Sequence, residues 1–360
     1  MRLKILEVGF KTICSFCLVW GISAPLAAWA SQALDSAATT SLSTEDKLEG
    51  NYKEVIFPFV ESKITEKTFL SERGYHLTYA YMPKLAESNG LVILLEGRTE
   101  FYKKYYEVIY DVYRRGFDVA IMDWASQGRS HRFEGVNPEH THIDDLAVHV
   151  TDLHTFLNEP SIVSLRSGGK MFGLAHSMGG AIVSLFAAEN EGVFDKIAFF
   201  APMMELATSP LPEWVLLQVL KLAETIGYSK SGFPFVEPFS EDEENNVTHS
   251  LIRRKVFFEQ RVKYRKEVTA GFTVGYARSA LGGTRKVRDV ADQIKIPILL
   301  FQATKDVVVL PNGQKKFCET ALNCRFELAK GAMHEILMEV DSIRNPALEK
   351  ALKFFHQDGE

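Results

Sequence analysis

Short apolar runs recur along this chain with helix-length amphipathic segments between them, and that alternation restricts the fold more than any single motif. Leu91 to Leu95 and Val119 to Met122 enclose a segment that puts Tyr105, Val108, Ile109 and Val112 on one helical face and ends at Gly116. The pattern recurs as a helix near Ile143 to Leu157, the run Met171 to Leu174, an apolar helix from Gly179 to Ala188, and the run Ile197 to Phe200. It resumes with Ile296 to Phe301, a helix near Gly313 to Thr320, a strand from Arg325 to Leu328 and a last helix through Ala347 to Phe355. A strand with no polar face must be covered on both sides, so these units predict a mostly parallel central sheet with helices on both faces.

Upstream of that pattern, Val55-Ile56-Phe57 and Tyr75 to Tyr81 read as opening antiparallel strands, the second entered at Gly74 and left at Pro83. Residues 31–50 are rich in Ser, Thr and Ala and predict a linker or disordered lead-in. Between 205 and 286 the alternation gives way to Pro-flanked helical segments, the acidic run Glu241-Asp242-Glu243-Glu244 and a strongly basic helix after Thr248. This stretch predicts a helical cap inserted into a core made of 51–204 and 287–360.

Residues 1–30 read as an export signal. Arg2 and Lys4 precede an apolar stretch from Ile13 to Ala28, and Ala28-Trp29-Ala30 offers a small-x-small cleavage site. The expectation is a periplasmic or secreted protein; an uncleaved membrane anchor is the alternative for the same segment. Cys14 and Cys17 fall inside it, which leaves Cys318 and Cys324 as the pair available for a disulfide in an oxidising compartment, or as two buried thiols. A net charge of −5 and a pI near 6.1 lack the basic footprint of a nucleic-acid binder.

The segment Leu174-Ala175-His176-Ser177-Met178-Gly179-Gly180 lies where a predicted strand meets a predicted helix. A serine on such a sharp turn is lifted out of the sheet, and small residues two positions to either side relieve the crowding, here Ala175 and Gly179. Its hydroxyl is a weak nucleophile that needs a histidine base, itself oriented by a carboxylate, with the three in the chain order Ser, acid, His. Asp306 follows the strand Ile296 to Phe301 in the turn Ala303-Thr304-Lys305-Asp306, whereas Asp289 and Asp292 precede that strand and would lie at its opposite end. His334 follows the last strand in Lys330-Gly331-Ala332-Met333-His334-Glu335. A zinc site is not expected there, because Met338 stands where a second histidine ligand would be needed. Two backbone donors for an oxyanion are expected, the amide of Met178 and, after the flexible Gly97, the amide of Arg98.

Together, Glu96-Gly97-Arg98-Thr99-Glu100, Asp123-Trp124-Ala125-Ser126-Gln127-Gly128-Arg129-Ser130, Ala175-His176-Ser177-Met178-Gly179-Gly180, Thr248-His249-Ser250 and Gly331-Ala332-Met333-His334-Glu335 resemble the bacterial lysophospholipases related to monoacylglycerol lipases. The resemblance covers the chain from about Tyr75 onward. It implies the α/β-hydrolase fold and a serine esterase that removes the acyl chain of a single-chain lipid through an acyl-enzyme, with no cofactor and no metal. Glu96 departs from the pattern, standing where the lipases commonly carry a histidine.

For the substrate, the segment Leu211 to Leu220 is apolar over much of its helical surface, and Trp214, Leu217 and Leu220 are candidates for contact with an acyl chain; packing on the main domain is the alternative. From Leu251 to Lys266 basic residues outnumber acidic ones seven to one. Such a helix suits peripheral contact with anionic lipid, or a solvated face paired with the acidic run. A peptidase or small-molecule esterase on the same fold, or a non-catalytic lipid-binding module, are the competing readings.

Overall fold

The computed structural model describes residues 41–84, 87–166, 169–234 and 247–357. The expected signal segment 1–30, residues 31–40 of the lead-in and the acidic run Glu241 to Glu244 lie outside the described residues.

The chain enters through α1 (Glu45–Asn51), which continues by a π-helical turn (Tyr52–Ile56) into α2 (Phe57–Lys63). Then come β1 (Thr65–Leu70), β2 (His76–Met82), β3 (Leu91–Leu95), α3 (Tyr106–Arg114), β4 (Asp118–Met122), the short β5 (His140–Thr141), α4 (Leu146–Leu157) and α5 (Pro160–Arg166). The central unit is β6 (Met171–His176), α6 (Met178–Glu189) and β7 (Lys196–Phe200), followed by α7 (Glu213–Ala223), α8 (Leu251–Lys263), the short β8 (Gly271–Phe272) and α9 (Val274–Asp289). The chain closes with β9 (Ile298–Ala303), α10 (Pro311–Thr320), β10 (Cys324–Ala329) and α11 (Asp341–His356).

Eight strands form one sheet in the order β1-β2-β4-β3-β6-β7-β9-β10; β1, β2 and β4 pair antiparallel and every other neighbour is parallel. The apolar runs behave as two-sided strands. Leu91, Ile93 and Leu95 pack toward α4, α6 and α9, while Val92 and Leu94 pack toward α1, α3 and α11.

The amino-terminal expectations are corrected. Residues 45–51 are helix rather than linker, and Val55-Ile56-Phe57 is helical; the strand that pairs with β2 is Thr65–Leu70. The cause is a four-residue spacing that a local β-branched run hides. Leu48, Tyr52, Ile56 and Val60 fall on one face and are buried at 1%, 6%, 2% and 0% exposure. This helical entry is joined to the other end of the chain by reciprocal capping: the Glu45 N–H donates to Asp341 Oδ2 at 2.7 Å, and the Asp341 N–H donates to Glu45 Oε2 at 3.1 Å. Each carboxylate thereby satisfies an orphan donor in the first turn of the other's helix.

The insert expected as one helical cap divides in two. Leu217 and Leu220 of α7 pack on Val274, Ala277 and Leu281 of α9, which itself lies against α6. Helix α8 instead packs on α1 and the turn Tyr102–Tyr105 on the opposite face of the sheet. Its basic residues divide between core and surface: Arg253 is buried, with Nε 3.0 Å from Glu107 Oε2, Nη2 2.8 Å from Asp341 Oδ1 and Nη1 2.6 Å from the Glu339 carbonyl, whereas Lys255 and Lys263 are exposed. Lys255 pairs with Glu49, and Arg265 pairs with Glu139 at 2.5 Å. Among the described residues no helix is long and apolar enough to cross a membrane.

Candidate active site

Ser177 sits between β6 and α6 with φ 47° and ψ −115°, a backbone conformation that ordinary residues avoid. The turn is held from both sides, since the Ser177 N–H donates to the Phe200 carbonyl and the Met203 N–H donates to the Ser177 carbonyl at 2.8 Å. It also needs glycine: a Cβ at Gly179 would fall 2.2 Å from the Leu95 carbonyl oxygen. Ala175, on the other side, is fully buried in β6 and pairs with Leu95 of β3.

His334 and Asp306 reach this serine from the two loops where the sequence places them. His334 Nε2 is 2.9 Å from Ser177 Oγ, and His334 Nδ1 is 2.8 Å from Asp306 Oδ2. Burial works against ionisation of Asp306. The hydrogen bond from His334 and the amides of Val308 and Val309 on Oδ1 outweigh it, holding the carboxyl below its usual range. Asp306 is therefore an anion locked on both oxygens, able to fix the tautomer of His334 and to stabilise its imidazolium.

Gly97 packs directly on the nucleophile. A Cβ there would fall 3.1 Å from Ser177 Cβ and 2.9 Å from His176 Nδ1, which sets the next peptide, that of Arg98, beside the serine. The Met178 amide opens α6 and has no acceptor within its own helix. Both expected donors thus come from the segments that adjoin Ser177.

A second set of side chains, four residues from three separate segments, ties those segments together. Glu100 accepts from the Gly97 amide at 2.5 Å, from the Tyr105 hydroxyl at 2.6 Å and from Lys104 Nζ at 2.5 Å, and lies 3.0 Å from His176 Nδ1. Lys104 Nζ also reaches Glu335 at 2.7 Å, and His176 Nε2 is 3.3 Å from the His334 carbonyl oxygen. Burial opposes charge on His176, yet Glu335 and Glu100 raise its pKa above the ordinary value; burial likewise opposes charge on Glu100, yet Lys104 and His176 hold its carboxyl well down. The ammonium of Lys104 and the histidine, whose protonated form these neighbours favour, face Glu100 and Glu335. Glu100, His176 and Glu335 present ligand atoms within 4.8 Å of one another, but the ammonium of Lys104 already bridges the two carboxylates. Sequence reasoning did not find this cluster; Glu100, His176 and Glu335 stand inside quoted motifs, yet nothing local marks them as partners.

Glu96 is fully buried. Its Oε1 accepts from Gln127 Nε2 at 3.0 Å, and its Oε2 has no hydrogen-bond partner among the described residues. Burial, then the charges of Asp123 and Glu100, push its pKa well above the usual carboxylate value, which favours its neutral form.

A cavity of about 250 Å³ opens at Ser177. Its wall is largely apolar and includes Met203, Leu206, Leu216, Phe272, Ala280 and Val309, with Arg98 as the charged contributor. The three expected acyl contacts on α7 are corrected. Trp214 is 66% exposed, and Leu217 and Leu220 are buried against α9; the helix presents Leu216 to the cavity instead. Cys318 and Cys324 are joined by a disulfide that links α10 to β10.

Residues 86–341 match the family described as serine aminopeptidase, S33. The chain is 34% identical over 285 residues to lysophospholipase L2 of Escherichia coli (strain K12), covering 74% of this chain and 80% of that one. It is 28% identical over 308 residues to a probable lysophospholipase L2 of Haemophilus influenzae, covering 84% and 95%. A thermostable carboxyl esterase from Bacillus coagulans superposes with a TM-score of 0.66 at 17% identity over 81% of this chain and 97% of that one, a likeness of fold. The elbow, the chain order of Ser177, Asp306 and His334, and the eight-stranded sheet agree with these matches: the chain is an α/β-hydrolase and belongs to the serine aminopeptidase S33 family.

Proposed function

We propose that this protein is a serine esterase that hydrolyses the acyl ester of a single-chain lipid, a lysophospholipid or a monoacylglycerol, through an acyl-enzyme at Ser177. The observation that carries this reading is an apolar cavity opening directly onto a serine that is already hydrogen-bonded to a histidine-aspartate pair. Ser177 Oγ attacks the ester carbonyl as His334 takes its proton, and Asp306 stabilises the imidazolium. The oxyanion is met by the amides of Met178 and Arg98. His334 then returns the proton to the leaving alcohol, and water repeats the sequence to release the fatty acid.

The family description names a peptidase, and one feature weighs against that activity for this chain. An aminopeptidase must hold a free α-ammonium, whereas the cavity wall carries the cation Arg98 and no carboxylate among the described lining residues. The names of the sequence relatives support lipid esters as well. Export to an oxidising compartment is part of the same proposal, supported by the Cys318–Cys324 disulfide and by the signal-like first thirty residues. The deciding experiment compares turnover of lysophospholipids, monoacylglycerols and aminoacyl amides by the purified protein. Cleavage of the amides in preference to both lipids would overturn the reading.

A further inference from the structure

Arg98 faces the same cavity as Ser177. Its guanidinium lies over the ring of Phe272 at 4.9 Å and within 6.0 Å of the Tyr276 ring centre, both of which also line the cavity. Nη1 donates to the carbonyl of Ala270 at 3.2 Å. That neutral acceptor is its one hydrogen-bond partner among the described residues, and no carboxylate there pairs with it. Glu100, two positions away, is spent on Lys104, His176, Tyr105 and the Gly97 amide. A guanidinium carries five donors in a planar fork. The guanidinium is partly buried and Glu100 favours its charge only from a distance, without a hydrogen bond, so one carbonyl and two ring faces offset only part of the lost hydration.

We propose that the Arg98 guanidinium recognises the headgroup phosphate of the substrate, so that the cavity selects a lysophospholipid over a neutral monoacylglycerol. This deepens the esterase reading and rests on it. The reach is right: the phosphate of a lysophospholipid sits a few bonds beyond the scissile ester, a span comparable to that between the Arg98 amide, which faces the oxyanion, and its own guanidinium. Phosphate oxygens also match the fork of a guanidinium, which a hydroxyl of monoacylglycerol does not. The stacking rings hold the guanidinium in one plane before the ligand arrives, which lowers the cost of ordering it.

The test measures kcat/KM for a monoacylglycerol and for a lysophosphatidylethanolamine with the same acyl chain, in wild type, Arg98→Met and Arg98→Lys. Wild type should prefer the phosphorylated lipid, and Arg98→Met should lower the ratio of the two kcat/KM values by roughly 10- to 100-fold, mostly through KM. Arg98→Lys should retain part of the preference, since it keeps the charge and loses the fork. Glycerophosphate should inhibit wild type competitively and Arg98→Met far more weakly, which tests the site on the unaltered protein if the variant folds poorly. An unchanged ratio in Arg98→Met, or no competition by glycerophosphate in wild type, overturns the proposal and leaves Arg98 as a prop for the Ala270 segment. A wild type that cleaves neither lipid overturns the esterase reading itself.

Discussion

His176 Nε2 lies 3.3 Å from the main-chain oxygen of His334, so the residue just before the nucleophile holds the loop that carries its base. The other face of the same ring contacts Glu100, whose second oxygen accepts the Gly97 amide. One imidazole ring therefore spans the oxyanion side and the base side of the site.

Replacing His176 with Gln should cost about 2–4 kcal/mol, because it leaves the buried Glu100 and the partly exposed Glu335 to share a single ammonium. The loss depends on pH in a defined sense. The folded pKa of His176 is raised above 6.5, so its contribution is fully present below that pH and fades as pH rises through the folded value. Denaturant unfolding should show the gap between wild type and variant shrinking as pH is raised from about 6.5 through the alkaline range. Glu100, Glu335, Lys104, Tyr105 and His334 surround the ring, and a constant gap across that range would assign the effect to packing alone. A positioning role adds a fall in kcat at similar KM.

Ser177→Ala should remove labelling by a fluorophosphonate and reduce ester turnover roughly 1,000-fold to 1,000,000-fold while the protein stays folded. Undiminished turnover by a pure, folded sample would withdraw Ser177 from the nucleophile's role. Asp306→Asn should keep the fold and lose about 10,000-fold in kcat by releasing the tautomer of His334.

On α7, Leu216→Trp should shift the kcat/KM profile toward shorter acyl chains, since it fills the cavity wall. Leu217→Trp should instead leave the profile in place and destabilise the protein by about 1–3 kcal/mol, because that side chain is packed on α9. A profile that responds to position 217 and ignores 216 would reverse the two roles.

Intact-mass measurement without reduction should find the chain two hydrogens lighter than its dithiol form. Because the bridge closes a short loop, with a sequence separation of 6, Cys318→Ser paired with Cys324→Ser should cost about 2 kcal/mol, read as a drop in Tm. Free alkylation of both thiols in unreduced protein would contradict the bond.

The nucleophile, acid and base were legible in the sequence because each depends on local features: a small-residue turn, a strand end and a fixed chain order. The alternating units gave the parallel sheet for the same reason. Val55-Ile56-Phe57 misled because three residues show only their β-branched and aromatic character, and the period that decides the matter runs from Leu48 to Val60. The face of α7 could not be read because Leu216 and Leu217 are equally apolar, and only the position of α9 separates them. Glu100, Lys104, His176 and Glu335 meet through three-dimensional closure, and neither spacing nor composition announces such a meeting.

The exchange of caps between Glu45 and Asp341 spans 296 positions, so α1 gains this cap only after nearly all of the chain is present. A ribosome delivers these ends far apart in time. The opening helix must wait without its cap, and the sheet must close before it can be secured, which makes this contact a late, slow-forming event with a large loop-closure cost. Trimming the last helix would release the first one too. These two helix starts act as a single clasp, and damage to either should loosen both.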